Sequence, residues 1–400
     1  MSARRRAFSG LSRDTWLLSF ASLFSDISTE MLYPVLPTFL TRDLHAGGTI
    51  VGLVEGIAQG AQNIIQGFSG TLSDKLQRRK PIALAGYALS ALAKPLIGLA
   101  ATWPVAFGAR TLDRLGDGSR SAPRDALVAA SADEANRGKA FGLEGAGDNA
   151  GAFLGPLIAL ALLTFCGIAL RSIFYLAIIP GLLALLLVLL VRERPVSYAA
   201  KAKIDVGVDR IPRLYRRYLA ATALFGLGNS SNAFLILQTQ ALGASLQATI
   251  LIYAGFNLVA ALVSYPAGAL SDRLGRRNLL LLAFAIFIAT YLGFALATNL
   301  ILIASLFVLY GAYQGIFRAA GKALASDFVP AAFRAGGIGW YNATVGVTGL
   351  LASTAAGLLW DRVGHGALFL LGAGFAAAGS FALVLLVPNS HSNPSQGSGG

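Results

Sequence analysis

Long apolar segments recur along almost the whole of this 400-residue chain and limit what it can fold into. Hydrophobic residues make up 55% of the sequence and charged residues 13%, and the mean hydropathy is +0.64. The apolar core of a bilayer is about 30 Å thick, and roughly 20 helical residues cross it. The sequence therefore predicts an all-α polytopic membrane protein with twelve transmembrane helices. The predicted spans cover residues 16–40, 49–71, 81–102, 105–128, 140–166, 172–191, 216–240, 249–270, 278–298, 300–326, 336–360 and 367–387.

Basic residues lie mainly between these spans. If the spans alternate in direction, one side carries the clusters at 4–6, 75–80, 124–139, 192–217, 273–277 and 322–334, and the other carries Arg42, Arg171 and Arg362. The positive-inside rule places the first side in the cytoplasm, together with both chain ends. We therefore expect a multi-pass protein of a bacterial inner membrane, and the net charge of +13 does not indicate nucleic-acid binding. The single cysteine, Cys166, excludes an intrachain disulfide.

An internal repeat divides the chain. GTLSDKLQRRK, at 70–80, follows the second span, and GALSDRLGRRN, at 268–278, follows the eighth span 198 residues later. We interpret this as two six-span halves of the kind that secondary transporters use, with the substrate site at their interface. The predicted divisions are an N-terminal six-helix bundle at 1–191, a cytoplasmic linker at 192–215, a C-terminal bundle at 216–387 and a disordered tail at 388–400.

The two repeated loops resemble the signature of the major facilitator superfamily of secondary transporters. The first copy has Gln77 where the family has glycine, whereas the second copy keeps Gly275. The resemblance extends to about residue 387 and implies the twelve-helix fold of that superfamily. It also implies a cytoplasmic gate, in which loop aspartates cap helices and loop cations pair with acids. The residues assigned to this gate are Gly70, Asp74, Lys75, Arg78, Arg79, Asp125, Gly268, Asp272, Arg273, Arg276 and Arg277.

Two further segments resemble exporters of this superfamily. RLGDGSRSA, at 114–122, matches a fourth-span pattern whose arginine takes part in proton transfer in proton-driven members. GDNAGAFLGP, at 147–156, resembles the glycine-rich fifth-span motif of antiporters. On physical grounds alone, the same glycines allow close packing of helices and Pro156 allows a bend. Both interpretations stay open from the sequence.

The segment FSDISTEMLYP, at 24–34, places two carboxylates inside the first span. Charge inside a membrane is costly, so Asp26 and Glu30 are functional candidates. They lie four residues apart on one helical face, and Arg114 on the fourth span reaches a similar depth. We expect Asp26, Glu30 and Arg114 to form a proton-coupling site, in which protonation alternates with pairing to Arg114 or with substrate binding. A permanent ion pair that only positions the two helices is the alternative.

Other polar residues within spans predict a substrate cavity. Charges three residues apart on the fourth span can neutralise one another as Arg110/Asp113, Arg114/Asp117 and Asp117/Arg120. A lysine in mid-span needs an acidic partner or an anionic ligand. The second half offers amides and rings where the first half has charges. The predicted cavity residues are Glu55, Gln59, Gln62, Asn63, Lys94, Arg110, Asn229, Asn232, Tyr253, Asn257, Tyr310, Tyr313, Gln314, Trp340 and Asn342.

The sequence contains no hydrolase, nucleotide-binding or metal-binding motif, so we expect no enzyme activity, cofactor or metal. The leading hypothesis is a secondary active transporter that works by alternating access. It predicts proton-coupled antiport, with H⁺ as the coupling ion, that exports a small amphipathic molecule such as a drug, siderophore or metabolite. The expected partners are that substrate and the lipid bilayer, and the chain is expected to be a monomer. The alternatives are a proton symporter that imports an organic anion and a lipid flippase or scramblase.

Overall fold

The computed structural model describes residues 11–76, 78–133, 136–193, 212–329 and 334–388, and the regular structure in these ranges is helical. The helices of the first half are α1 (Arg13–Glu30), α2 (Leu36–Thr38, continued by a π-helical turn over Phe39–Asp43), α3 (Gly48–Leu76), α4 (Arg79–Leu99), α5 (Trp103–Ser131), α6 (Arg137–Phe165), α7 (Leu170–Leu176) and α8 (Ile178–Leu190). Those of the second half are α9 (Arg213–Gly226), α10 (Ala233–Ala241), α11 (Leu246–Leu274), α12 (Arg276–Leu296), α13 (Leu300–Asp327), α14 (Arg334–Arg362) and α15 (His365–Leu386).

These helices form the twelve predicted spans, because the first, sixth and seventh spans are each divided into two helices. The prediction of an all-α polytopic fold with two sets of six helices is confirmed. In the described part of the chain, eight helical segments are long and apolar enough to cross a membrane. The other four predicted spans are the first and seventh, which are interrupted, and α3 and α5, which are rich in polar residues.

The first span is interrupted directly after the acid pair. The sequence predicted one continuous span over 16–40, but α1 ends at Glu30 and residues 31–35 form a turn. Pro34 has no N–H to donate to the carbonyl of Glu30, and it disfavours helical geometry at Tyr33. Asp26 and Glu30 therefore lie in the last turn of α1 rather than in the middle of a long helix.

The seventh span is interrupted at the equivalent place. Residues 227–232 separate α9 from α10, where glycine and short polar side chains compete with helical hydrogen bonding. The Ser231 hydroxyl accepts from Ala233 N at 3.2 Å, and Ser231 N donates to Ser353 Oγ at 3.0 Å. Tyr33 Oη lies 3.3 Å from Ser231 Oγ, and these residues are 198 positions apart, as the repeated loops are. The two interruptions thus meet across the interface between the halves.

The glycine-rich segment of α6 packs against the acid pair. A Cβ atom at Gly151 would lie 2.6 Å from the carbonyl oxygen of Leu23 and 2.7 Å from Cβ of Asp26. At Gly155 it would lie 3.0 Å from Cβ of Glu30. Glycine at these positions allows α6 to approach α1 within backbone contact. The structure therefore supports the packing interpretation of the fifth-span motif.

The halves contact each other chiefly through two helix pairs, α3 with α14 and α6 with α11. Along the first pair, contacts run from Gly48 and Asp361 to Asn63 and Gly346. Further along, Gly67 of α3 and Gly339 of α14 have open space around them. The bundle is therefore closed on the membrane side opposite the chain ends, called the distal side below. The helices diverge toward the side that carries the chain ends, called the terminal side.

Several predicted features lie outside the described residues. Most of the linker at 192–215, nearly all of the tail at 388–400 and Gln77 fall there. The side chains at six of the gate positions, Gly70, Asp74, Lys75, Gly268, Asp272 and Arg273, are also outside the described part. The predicted divisions of the chain and the role of these six residues stay predictions.

The packing of α6 on α1 generates a stability prediction. Gly151→Ala forces the two helices apart, so we expect it to reduce the free energy of unfolding by about 1–3 kcal/mol. The matched control is Gly145→Ala on the same helix, where an added Cβ meets nothing within 4 Å. Unfolding of both variants in detergent micelles would be measured by circular dichroism. Equal stability of the two variants would contradict the packing role.

Candidate transport site

Glu30 forms a hydrogen bond between the two halves. Tyr253 Oη of α11 donates to Glu30 Oε2 at 3.0 Å, and the Tyr253 ring stacks on Tyr33 with 5.4 Å between ring centroids. Among the charged side chains around Glu30, Arg114 exerts the largest Coulombic effect. The carboxylate of Glu30, at the end of α1, thus interacts with the opposite half through Tyr253 and with the fourth span through Arg114.

Asp26 lies one turn earlier and has no hydrogen bond or ion pair among the described residues. Its strongest Coulombic interaction is with Asp148 of α6, followed by that with Arg120. Both carboxylates are partly buried. The neighbourhood of Asp26 therefore combines a like charge and an opposite charge.

The predicted pairing of Arg114 with the acid pair is absent from this conformation. Arg114 Nη1 instead donates to Asp117 Oδ2 at 3.1 Å and to Gln62 Oε1 at 3.4 Å, and Nε lies 3.6 Å from Asp113 Oδ2. No ion pair joins Arg114 to Asp26 or Glu30 within the part of the chain that the structure describes. The reason is local, because the i,i+3 spacing on α5 places Asp117 closer than any group on α1. Arg114 Nη2 is buried without a hydrogen-bond partner.

A chain of buried ion pairs joins α3, α4 and α5. Arg110 binds Glu55 through two parallel hydrogen bonds, Nε to Oε1 at 2.9 Å and Nη2 to Oε2 at 3.2 Å. Arg110 Nη1 also donates to Asp113 Oδ2 at 2.9 Å, and Lys94 Nζ donates to Asp113 Oδ1 at 2.9 Å. Ser90 Oγ completes the network with a 2.7 Å bond to Asp113. All three predicted fourth-span pairs are present, with N···O distances of 2.9–3.1 Å.

Lys94 and Arg110 are each 1% exposed and do not line the cavity described below. Their prediction as cavity residues was wrong for this conformation, because Asp113 and Glu55 satisfy their charges within the first half. The hypothesis that a buried lysine needs an acidic partner is met by Asp113.

A cavity of about 170 Å³ lies between the halves at the level of the two interruptions. Seven of the predicted residues line it: Glu55, Gln59, Asn63, Asn229, Asn232, Tyr310 and Gln314. The lining residues that the prediction did not include are Tyr33, Thr222, Phe225, Gly226, Ser230, Ser231, Phe317, Val345, Gly349 and Ser353. The 198-residue offset between Tyr33 and Ser231 was a sequence signal that could have placed Tyr33 at the cavity. For the three lining residues of α14, Val345, Gly349 and Ser353, the repeat gave no such signal.

The remaining predicted cavity residues lie elsewhere in this conformation. Tyr253 binds Glu30, and Asn257 Nδ2 donates to the carbonyl of Ala152 at 2.9 Å, so both bridge the halves beside the cavity. Tyr313 is buried among aromatic rings, and its hydroxyl has no partner. The other three, Gln62, Trp340 and Asn342, do not line the cavity, and Trp340 is 37% exposed.

The aromatic rings of the second half form the opposite wall. Phe225, which lines the cavity, stacks on Phe284 with 3.8 Å between centroids. Tyr310 Oη donates to Asn232 Oδ1 at 2.8 Å, and Ser230 Oγ lies 3.3 Å from Tyr291 Oη. These polar contacts of the second half are made by hydroxyls and amides, whereas the first half uses ion pairs.

The described gate residues make contacts within their own halves. Arg79, the first residue of α4, donates through Nη1 to the carbonyl of Ala126, and Arg276, the first residue of α12, donates through Nη1 to the carbonyl of Ala323. Arg276 also pairs with Asp327, and Arg277 donates to the carbonyl of Val384. The backbone N–H of Arg79, the residue after Arg78, donates to Glu193. Asp125 pairs with the adjacent Arg124 at 3.0 Å.

An aspartate that sequence reasoning did not single out closes the distal side. Asp361, near the end of α14, accepts from Gly48 N at 2.8 Å, from Thr49 N at 2.8 Å and from Thr49 Oγ1 at 2.6 Å. It therefore caps the first turn of α3 in the other half with a negative charge. We call Asp361 and its two partner residues the distal latch.

Two pseudo-symmetric six-helix halves, with a cavity and a carboxylate hydrogen-bonded across their interface, define the class of secondary transporters. The sequence model of the Major Facilitator Superfamily matches residues 18–238 and again 218–400. The chain belongs to the Major Facilitator Superfamily.

Relatives and solved structures agree with this assignment. The chain is 34% identical to an MFS-type transporter of Methanocaldococcus jannaschii over 356 residues, covering 88% of this chain and 89% of the relative. It is 31% identical to a probable 4-methylmuconolactone transporter of Cupriavidus pinatubonensis over 278 residues, covering 65% and 63% of the two chains. The crystal structure of the nucleoside transporter NupG has a similar fold, with a TM-score of 0.76 at 15% identity over 94% of this chain and 99% of that one.

The buried Glu55–Arg110 pair generates a thermodynamic prediction. Arg110→Met leaves the Glu55 carboxylate buried without its partner, so we expect a loss of about 3–5 kcal/mol in the free energy of unfolding. The double variant Glu55→Met/Arg110→Met removes both charges and should lose less than Arg110→Met alone. Chemical unfolding in detergent would give the coupling energy, and simple additivity of the two single losses would contradict the prediction.

The distal latch generates a conformational prediction. Asp361→Asn removes the charge that holds the first turn of α3, so the distal side should open more often. We expect a cysteine introduced by Val51→Cys, at a position that is fully buried, to react about tenfold faster with a thiol reagent. Mass spectrometry would report its alkylation relative to the exposed Cys166. Asp43→Asn, an exposed carboxylate on the same side, is the control and should leave the rate unchanged.

Proposed function

We propose that this protein is a proton-coupled antiporter that exports a small amphipathic molecule, with Glu30 and Asp26 as its proton-binding groups. The observation that carries the proposal is the Glu30–Tyr253 hydrogen bond between the halves. A carboxylate that bonds across the moving interface makes the energy of that interface depend on protonation.

The sign of this dependence follows from the donor. Tyr253 donates to Glu30, and a hydroxyl bonds more strongly to a carboxylate than to a neutral carboxylic acid. Loss of the proton therefore stabilises the distal-closed conformation, and proton binding weakens it. The terminal side, proposed to be cytoplasmic, is where the proton leaves and the substrate enters.

The cavity supports an amphipathic substrate. One wall presents Gln59 and Asn63, and the other presents Phe225, Tyr310 and Phe317. The export direction is supported by the likeness of residues 147–156 to the antiporter motif, although the packing of Gly151 accounts for the same residues physically.

Proton symport that imports an organic anion is the second candidate. It is favoured by Arg114 Nη2, a buried guanidinium donor that has no hydrogen-bond partner among the described residues. It is also favoured by the relative of Cupriavidus pinatubonensis, whose name describes it as a probable 4-methylmuconolactone transporter. In proteoliposomes, an imposed proton gradient would drive substrate against the proton flow for antiport and with it for symport.

The coupling role of Glu30 can be tested without a known substrate. In the Val51→Cys background, alkylation of that site relative to Cys166 should increase as the pH is lowered, because proton binding weakens distal closure. Cys166 corrects for the pH dependence of thiol reactivity itself. With Glu30→Gln this pH dependence should disappear. With Asp26→Asn it should become weaker. With the control Asp43→Asn it should persist, and an unchanged pH dependence in both acid variants would exclude the proposed role.

A further inference from the structure

The cavity wall is electrically neutral although the half beside it is rich in charge. The lining residues include one carboxylate, Glu55, and both of its oxygens are bound by Arg110. Arg110 itself is buried behind that wall. An ionic ligand would lose part of its hydration on entering this cavity and would find no counter-charge there. The free energy of desolvation would then oppose its binding.

The same wall offers hydrogen-bonding groups that the described protein does not use. The side-chain amides of Asn229 and Gln314 line the cavity and form no hydrogen bond with other described residues. Asn232 accepts from Tyr310, and its amide N–H groups remain available. Unused amide donors and acceptors around a neutral space suit a ligand that carries hydroxyl, carbonyl or amide groups.

Size and aromatic lining restrict the ligand further. A cavity of about 150 Å³ holds one benzene ring, and this one has a volume of about 170 Å³. Tyr33, Phe225, Tyr310 and Phe317 supply ring surfaces that can stack on a flat ligand. A single ring with one or two small substituents fits these dimensions.

We infer that the substrate is a small, uncharged, single-ring compound that bears amide or hydroxyl groups. The inference rests on the proposed function in taking the cavity as the substrate site, and it narrows the amphipathic class to neutral molecules. Arg318 lies one turn along α13 from Gln314 but does not line the cavity, so the wall itself offers no cation to an anionic ligand.

The test uses two series of compounds in which the ring is kept and one substituent is neutral, anionic or cationic. The probes are nicotinamide, nicotinate and 3-(aminomethyl)pyridine, and the parallel series 3-hydroxybenzamide, 3-hydroxybenzoate and 3-hydroxybenzylamine. Thermal unfolding of the full chain in detergent would be followed with each probe at about 10 mM. We expect a neutral probe to raise the melting temperature and its two charged counterparts to leave it unchanged. The inference would be overturned if a charged probe raised the melting temperature more than its neutral parent did. It would also be overturned if neither neutral probe raised the melting temperature.

Two cavity variants and one matched control locate the binding. Gln314→Leu removes a cavity amide and should weaken binding of the neutral probe about tenfold. The matched control, Gln66→Leu, removes an amide on α3 that does not line the cavity and should bind normally. Asn229→Asp places an unpaired carboxylate in the wall and should transfer the preference to the cationic probe. Equal affinity in Gln314→Leu and Gln66→Leu would place the binding elsewhere.

This binding assay needs no proton gradient, so its outcome is independent of proton coupling. If neutral probes bind but Glu30→Gln keeps the pH-dependent alkylation, the substrate class stands and the coupling proposal fails. If the pH dependence is lost as expected but only charged probes bind, the coupling proposal stands and the substrate class fails.

Discussion

The burial of paired charge inside the first half is the constraint on which the rest of the structure depends. Glu55, Arg110, Asp113 and Lys94 form a continuous chain of ion pairs across α3, α5 and α4. Removing these groups from water is costly, and the cost is offset only while every partner stays in place. The three helices are therefore tied together, and a conformational change that separated them would expose unpaired charge to lipid. All of these ion pairs lie within the first half, and none of them crosses the interface between the halves.

The second half uses the same scaffold with different chemistry, and this makes the interface asymmetric. Tyr253 stands 198 residues after Glu55, so a phenol occupies the position of the carboxylate. Rings such as Phe225 and Phe284, with centroids 3.8 Å apart, pack within the second half. The acid pair of α1 has no charged counterpart in residues 227–232. The carboxylates of the acid pair thus belong to one half, while the other half contributes hydrogen-bond donors and ring surface.

Regular periodicity made most of the fold predictable from the sequence, and the site was predictable only in part. Apolar length located the spans, and i,i+3 spacing identified the charge pairs of α5, because both depend on local geometry. The partner of Arg114 was misassigned because similar depth in two helices does not decide which acid is closer. The role of Asp361 was not predicted, since a cap on a helix 312 residues away in sequence depends on how the two halves dock. The helix break after Glu30 was not predicted, although Pro34 was a sequence signal for it.

Distal closure has an inner and an outer layer that respond to different signals. The outer layer is the latch of Asp361 on Gly48 and Thr49, which lies at the rim and contains no group of the proposed proton site. The inner layer contains the Glu30–Tyr253 bond, which under the proposed coupling weakens when a proton binds. If the inner layer alone closed the distal side, proton binding would be sufficient to open it. The outer latch adds a fixed energy to opening, so protonation can bias the equilibrium without leaving the distal side continuously open.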